Sequence, residues 1–303
     1  MSVAPRWFDE QFTRRERFST AGGYISVVDI TPPDSAADGD HTPVVFVPGF
    51  LANLEGFRLT MQAFAASGKR VIGLTNSYQK SPRFNVGRYH DTIVQKCDDL
   101  LTLVGEKSLH GCDAIAHSEG FAVSVLASKI HAEKNCGGQP FRIIQGVAPH
   151  GLRRLDMQDA IRAPMMIAEG ARQMTRHPNV RAIFTTTLHY CRNNARQMSK
   201  EAMALLSTDV AGIVNEVAAG TDIGVLLLPA DEVIPARKHY RLFQTGQLRV
   251  SAVSTVINWN ARHAALLLDP STIGAAVAML DSMRGSQASR ASVTSSVRMR
   301  GTP

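Results

Sequence analysis

Short apolar runs alternate along this chain with longer stretches of helical spacing. The runs at 24–30, 44–47, 70–74, 112–116, 142–147, 225–228 and 250–256 are apolar or rich in β-branched residues, and they are strand-length. Between them, 54–66, 91–104 and 121–130 carry helical spacing. In the second of these, Ile93, Val94, Cys97, Leu100, Leu101 and Val104 fall on one face. Strands that are apolar throughout suit a sheet covered by helices on both faces. The alternation therefore predicts an α/β fold with a mostly parallel central sheet flanked by helices. From 151 to 221 the rhythm breaks, with helical patterns and no strand, which predicts a helical cap inserted into the core. The expected organisation is an N-terminal extension with a first strand (1–40), an α/β core (41–150 and 222–282), the cap (151–221) and a disordered, basic, serine-rich tail (283–303).

Composition fits a packed globular protein: 44% of the 303 residues are hydrophobic and 19% are charged. That length can bury a sizeable core without disulfides or metals. The formal net charge of +7 would by itself suggest nucleic acid or an anionic membrane. Much of it lies in the tail, where Arg284, Arg290, Arg298 and Arg300 occur with no acid. The tail has no aromatic residue for base stacking, so nucleic acid is not an expected partner. Between 151 and 200, nine Lys and Arg face three acids. These read as solvated helix faces or as a cationic pocket mouth favouring acidic or lipid-head-group substrates.

The four cysteines, Cys97, Cys112, Cys136 and Cys191, form no C-x-x-C pair and read as free thiols in a reducing cytoplasm. The N-terminus lacks the apolar core of a signal peptide, and no window approaches the roughly 18 apolar residues of a membrane helix. A cytoplasmic protein without a membrane span is expected. Neither G-x-x-x-x-G-K-[ST] nor a strand-linked G-x-G-x-x-G occurs, and His189-Tyr190-Cys191 has no second ligand pair nearby. No cofactor and no metal are expected.

The candidate chemistry begins at Ala116-His117-Ser118-Glu119-Gly120. A serine between a buried strand and a helix, with small residues two before and two after, matches a nucleophile elbow, whose turn is too tight for larger flanking side chains. The helix that follows aims its N-terminus at developing negative charge. A serine hydroxyl needs a base to take its proton. His263 follows the 250–256 strand after a short loop, and Asp231 follows 225–228 in Pro229-Ala230-Asp231-Glu232. Taken singly, His263 could be a surface histidine opening a helix and Asp231 a turn aspartate. Together, Ser, Asp and His in order after three separate strands point to one sheet edge. His117 reads as packing, and Glu119 as a side chain that is exposed or locally hydrogen-bonded.

Over roughly residues 44–280 the sequence resembles the α/β-hydrolase family. The resemblance rests on the elbow, on Asp231 to Pro235, on His263 to Leu267 followed by Asp269-Pro270, and on Pro48-Gly49-Phe50-Leu51. It implies a Ser118–Asp231–His263 triad in the family's order. It also implies an oxyanion hole from the backbone N–H groups of Phe50, or Leu51 as a near alternative, and Glu119. Phe50, Leu51 and His150 become candidates for the substrate pocket, with a structural role as the alternative for His150. The implied activity is cofactor-independent cleavage of a small-molecule or lipid ester. Thioesterase, C–C hydrolase and cofactor-free haloperoxidase chemistry share this fold, as would a non-catalytic binding protein on a hydrolase scaffold.

Overall fold

The computed structural model describes residues 4–33, 42–50, 52, 54–75, 91–134, 138–153, 192 and 195–299, with backbone alone at 91–92, 195–198 and 290–299. Its strands are β1 (Glu16–Thr20), β2 (Gly23–Ile30), β3 (Val44–Val47), β4 (Val71–Thr75), β5 (Cys112–His117), β6 (Phe141–Val147), β7 (Asp222–Leu227) and β8 (Ala252–Thr255). They form one sheet in the order β1-β2-β4-β3-β5-β6-β7-β8. β2 runs antiparallel to both β1 and β4, and every other pair is parallel.

Alternation along each strand sends side chains into two cores, one on each face. In β3, Val44 and Phe46 join one core while Val45 and Val47 join the other. The first core is closed by Phe8 and Phe12 of α1 (Arg6–Thr13), Met61 and Phe64 of α2 (Arg58–Ala66), Leu266 of α8 (Ala265–Leu268), and Met279 and Leu280 of α9 (Pro270–Met299). The second is closed by α3 (Asp91–Glu106), α4 (Glu119–Glu133) and α6 (Ala211–Val217) through Cys97, Leu100, Phe121, Val125 and Val214. The apolar arc of α3 is narrower than its spacing suggests. Ile93, Cys97, Leu100 and Val104 are buried, but Val94, at the flank of that arc, is 43% exposed.

Three expectations are corrected. The 250–256 run is not covered on both faces: β8 is an edge strand with only β7 beside it, and Val253 is exposed. The N-terminal extension holds a helix and two strands, because polar β1 pairs antiparallel with β2 at the opposite edge. The tail from Met283 is not disordered at its start but continues α9. Met279, Leu280 and Met283 extend one apolar stripe, and all three are buried. Arg284 Nε then reaches the buried Asp113 Oδ2 of β5 at 2.7 Å, where Arg142 Nε also pairs with Oδ1 at 2.9 Å.

Within 151–221, the described residues form α5 (Ala195–Ser207) and α6. Residues 154–191, including His189-Tyr190-Cys191, lie outside the described residues, as does Cys136. Among the described residues, no helix is long and apolar enough to cross a membrane. Cys97 and Cys112 are buried free thiols, and burial pushes both thiol pKa values up.

Candidate active site

β5 ends at His117 and α4 begins at Glu119, so Ser118 alone makes the turn. Its backbone sits at φ 52° and ψ −118°. That is a left-handed conformation costing a non-glycine residue on the order of 1–3 kcal/mol. The turn is held by Ser118 N–H donating to Val147 O at 3.0 Å and His150 N–H donating to Ser118 O at 3.0 Å. Gly120 has to be glycine: a Cβ there would collide with the Val47 carbonyl oxygen and lie 2.9 Å from that of Pro48. Gly49 brings its loop equally close, since a Cβ would lie 2.9 Å from His117 O and 3.0 Å from Ser118 Cβ. Ala116, the departure from glycine at the first small position, is fully buried and fits.

The structure brings Ser118, His263 and Asp231 together from three separate loops. His263 Nε2 lies 3.0 Å from Ser118 Oγ, and His263 Nδ1 lies 2.9 Å from Asp231 Oδ2. A carboxylate only accepts, so Nδ1 carries a proton and Nε2 is left to receive one from the serine. Asp231 is itself fixed, because its Oδ1 accepts the N–H of Val233 at 2.9 Å and of Ile234 at 2.7 Å. Burial alone would lower the His263 pKa. The charge and hydrogen bond of Asp231, with the charge of Glu232, outweigh it and hold His263 above its ordinary value.

Three neighbours have roles that the sequence did not reveal. His117 Nε2 lies 2.9 Å from the His263 carbonyl oxygen, and the two rings are 5.0 Å apart. Burial and the nearby His263 push the His117 pKa down to about 4, so it stays neutral and donates from Nε2. Glu232, next to Asp231, is raised by burial and faces His263 electrostatically. His150 is buried, with its Nε2 on Leu205 O of α5 at 2.8 Å and its pKa lowered by burial to about 4. Its side chain therefore ties the exit of β6 to α5, a structural role for a residue that was a pocket candidate.

Glu119 differs most from its sequence reading. Its carboxylate is neither exposed nor locally hydrogen-bonded: it is fully buried and accepts from Lys96 Nζ of α3, which also donates to buried Glu201 of α5. Burial pushes the Glu119 pKa up, against the pull of Lys96. The Glu119 N–H opens α4, where the first turn of a helix leaves N–H groups without intrahelical partners. Phe50 is half-buried in the turn after Gly49, and Leu51 lies outside the described residues. Among the described residues, no group of three or more His, Cys, Asp or Glu is arranged to hold a metal.

No protein-family model matches this sequence, and no curated protein matches it. Solved structures do match. A bacterial membrane phospholipase A described as a virulence factor superposes with a TM-score of 0.64 at 11% identity, covering 92% of this chain and 89% of that one. A carboxylesterase of the thaumarchaeon Nitrososphaera gargenis gives 0.61 at 16% identity, covering 90% and 98%. An alpha/beta hydrolase enzyme from a sediment metagenome of the lagoon of Mar Chica, Morocco, gives 0.59 at 14%, covering 90% and 99%. With the eight-stranded, mostly parallel sheet and its two helical layers, these likenesses identify the chain's architecture as the α/β-hydrolase fold.

Proposed function

We propose that this protein is a cofactor-independent serine hydrolase that cleaves a carboxylic ester. Ser118 Oγ attacks the ester carbonyl carbon while His263 Nε2 takes its proton. The carbonyl π electrons move onto oxygen, and the N–H groups of Glu119 and Phe50 receive that charge. Losing one such donor costs on the order of 10²–10³ in rate. When the tetrahedral intermediate collapses, the ester C–O bond breaks and His263 delivers its proton to the departing alcohol. Water then attacks the acyl-Ser118 ester, again through His263, releasing the acid and restoring the serine. Asp231 holds the imidazole tautomer throughout.

The observation that carries this reading is the 3.0 Å and 2.9 Å relay from a strained serine through His263 to a carboxylate. The esterase and phospholipase names of the structural neighbours agree with it. The test is labelling by a fluorophosphonate probe, with Ser118→Ala and His263→Ala alongside the wild type. Labelling of the folded wild type alone supports the reading. A folded wild type that does not label favours the non-catalytic scaffold instead.

A cationic cleft supports a narrower reading of the substrate. Arg153, three residues beyond His150, and Arg237, Lys238 and Arg241 of α7 (Ala236–Gln244) line a cleft of about 510 Å³. Like charges at i, i+4 on a helix repel, as Arg237 and Arg241 do, and an anion in the cleft would relieve this. We therefore read the preferred ester as one bearing an acidic group.

A further inference from the structure

The residue after the candidate nucleophile carries a buried charge that acyl transfer does not use. Glu119, Lys96 and Glu201 are respectively 0%, 1% and 0% exposed. Lys96 Nζ donates to Glu119 Oε2 and to Glu201 Oε1. One ammonium between two carboxylates thus joins α3, the first turn of α4 and α5. No other ion pair among the described residues is as deeply buried on both sides.

Two physical consequences meet at the elbow. Glu119 contributes its backbone N–H to the proposed oxyanion hole, and a clamp on its side chain fixes the direction of that N–H. A donor aimed in advance stabilises the oxyanion without reorganising as charge develops. The clamp also governs charge. An unpaired carboxylate one residue from Ser118 would repel the growing oxyanion through a weakly screened interior. Lys96 offsets it, and Glu201 holds Lys96 from the other side.

We propose that Lys96 and Glu201 are positioning residues for acyl transfer, holding through the Glu119 carboxylate the backbone N–H that receives the oxyanion. This rests on reading Ser118 as the nucleophile. It also makes α5, part of the 151–221 segment, a support of the reaction centre rather than only a cover for it.

The test compares wild type with Lys96→Met, Glu201→Gln and the conservative Lys96→Arg. Lys129→Met is the control, because Lys129 lies on α4, the helix that Glu119 opens, and pairs with Glu216 at 3.1 Å near the surface. Folding is followed by circular dichroism, with the fluorophosphonate labelling rate and kcat and KM on a short chromogenic ester as readouts. Folded Lys96→Met and Glu201→Gln are expected to lose about tenfold to hundredfold in labelling rate and kcat, with KM within about twofold. Lys96→Arg, which keeps a cation between the two carboxylates, should retain more of the rate than Lys96→Met, and Lys129→Met should match wild type.

Wild-type labelling by folded Lys96→Met or Glu201→Gln overturns the proposal, as does an equal loss in Lys129→Met. If Lys96→Met does not fold, the isosteric Glu201→Gln decides. A wild type that never labels removes the reading of Ser118 and this inference with it. A labelling wild type with indifferent variants removes the inference alone.

Discussion

His117 reaches past Ser118 to the backbone of His263, placing Nε2 2.9 Å from the His263 carbonyl oxygen. The residue before the proposed nucleophile thereby holds the loop that carries the proposed base. An imidazole kept neutral by burial is suited to this, since it donates without adding charge beside His263. His117→Ala should lower kcat/KM by about tenfold to hundredfold by loosening that loop. Stability should fall by about 1–3 kcal/mol because a buried carbonyl loses a partner. His117→Gln keeps an N–H donor and should recover part of the rate. Ester kinetics with urea denaturation of both variants checks this, and equal rates for the two would sink it.

The His263 pKa, raised mainly by Asp231 against burial, separates stability from activity. Protonated His263 gains from its pairing in the folded state. That stabilisation is fully present below the unfolded imidazole pKa of about 6.5 and is lost as pH rises through the higher folded value. Attack by Ser118 needs neutral His263, so kcat/KM should rise over the same interval, with its acid limb above the ordinary imidazole value. Replacing Asp231 with Asn should move that limb down and cut the rate steeply. A pH series of kcat/KM from about 5 to 9 tests both, and a wild-type limb below about 6.5 would contradict the assignment.

Gly120→Ala should cost about 1–3 kcal/mol or more, because its methyl group meets the carbonyl oxygens of Val47 and Pro48. The strain falls where β3 leaves the sheet and the Gly49 loop begins, so labelling of Ser118 should fall with stability. Thermal unfolding followed beside probe labelling shows both. A variant as stable as wild type would mean that α4 and β3 can separate without loss.

If the Arg153–α7 cleft receives an anion, Arg237→Gln/Arg241→Gln should raise KM for a hemisuccinate ester by about tenfold, roughly 1.4 kcal/mol. It should leave KM for a neutral butyrate ester within about twofold. Raising the salt concentration should reproduce the effect in wild type, since these arginines are exposed. Equal shifts for the two esters would remove the anionic-substrate reading while leaving ester hydrolysis in place.

Ser118, Asp231 and His263 were legible in sequence because each lies a few residues past a recognisable strand and parallel strands present those ends together. The residues proposed to support them were not. Lys96, Glu119 and Glu201 are separated by 23 and 105 residues from one another's partner, and no local pattern links them. Lysine on a helix ordinarily reads as solvent-facing. One signal was available: Lys96 falls within the α3 arc defined by Ile93, Cys97 and Leu100, where a charge needs a buried partner. The edge position of β8 was hidden for a related reason, since an apolar run does not reveal how many neighbours it has. The start of the tail was misread from composition, which registered serines and arginines but not the stripe ending at Met283.

The Arg284–Asp113 contact has a consequence for the order in which the molecule can be built. Asp113 sits in the strand that ends at the elbow, and its partner is 171 residues further along the chain. During synthesis Arg142 arrives first and reaches both oxygens, Oδ1 at 2.9 Å and Oδ2 at 3.3 Å, but the nearer partner of Oδ2 waits until α9 has formed. The strand that presents Ser118 therefore reaches its final packing late, after every other strand has been made. A chain halted before residue 284 should carry the serine, the histidine and the aspartate and still lack a rigid platform beneath them.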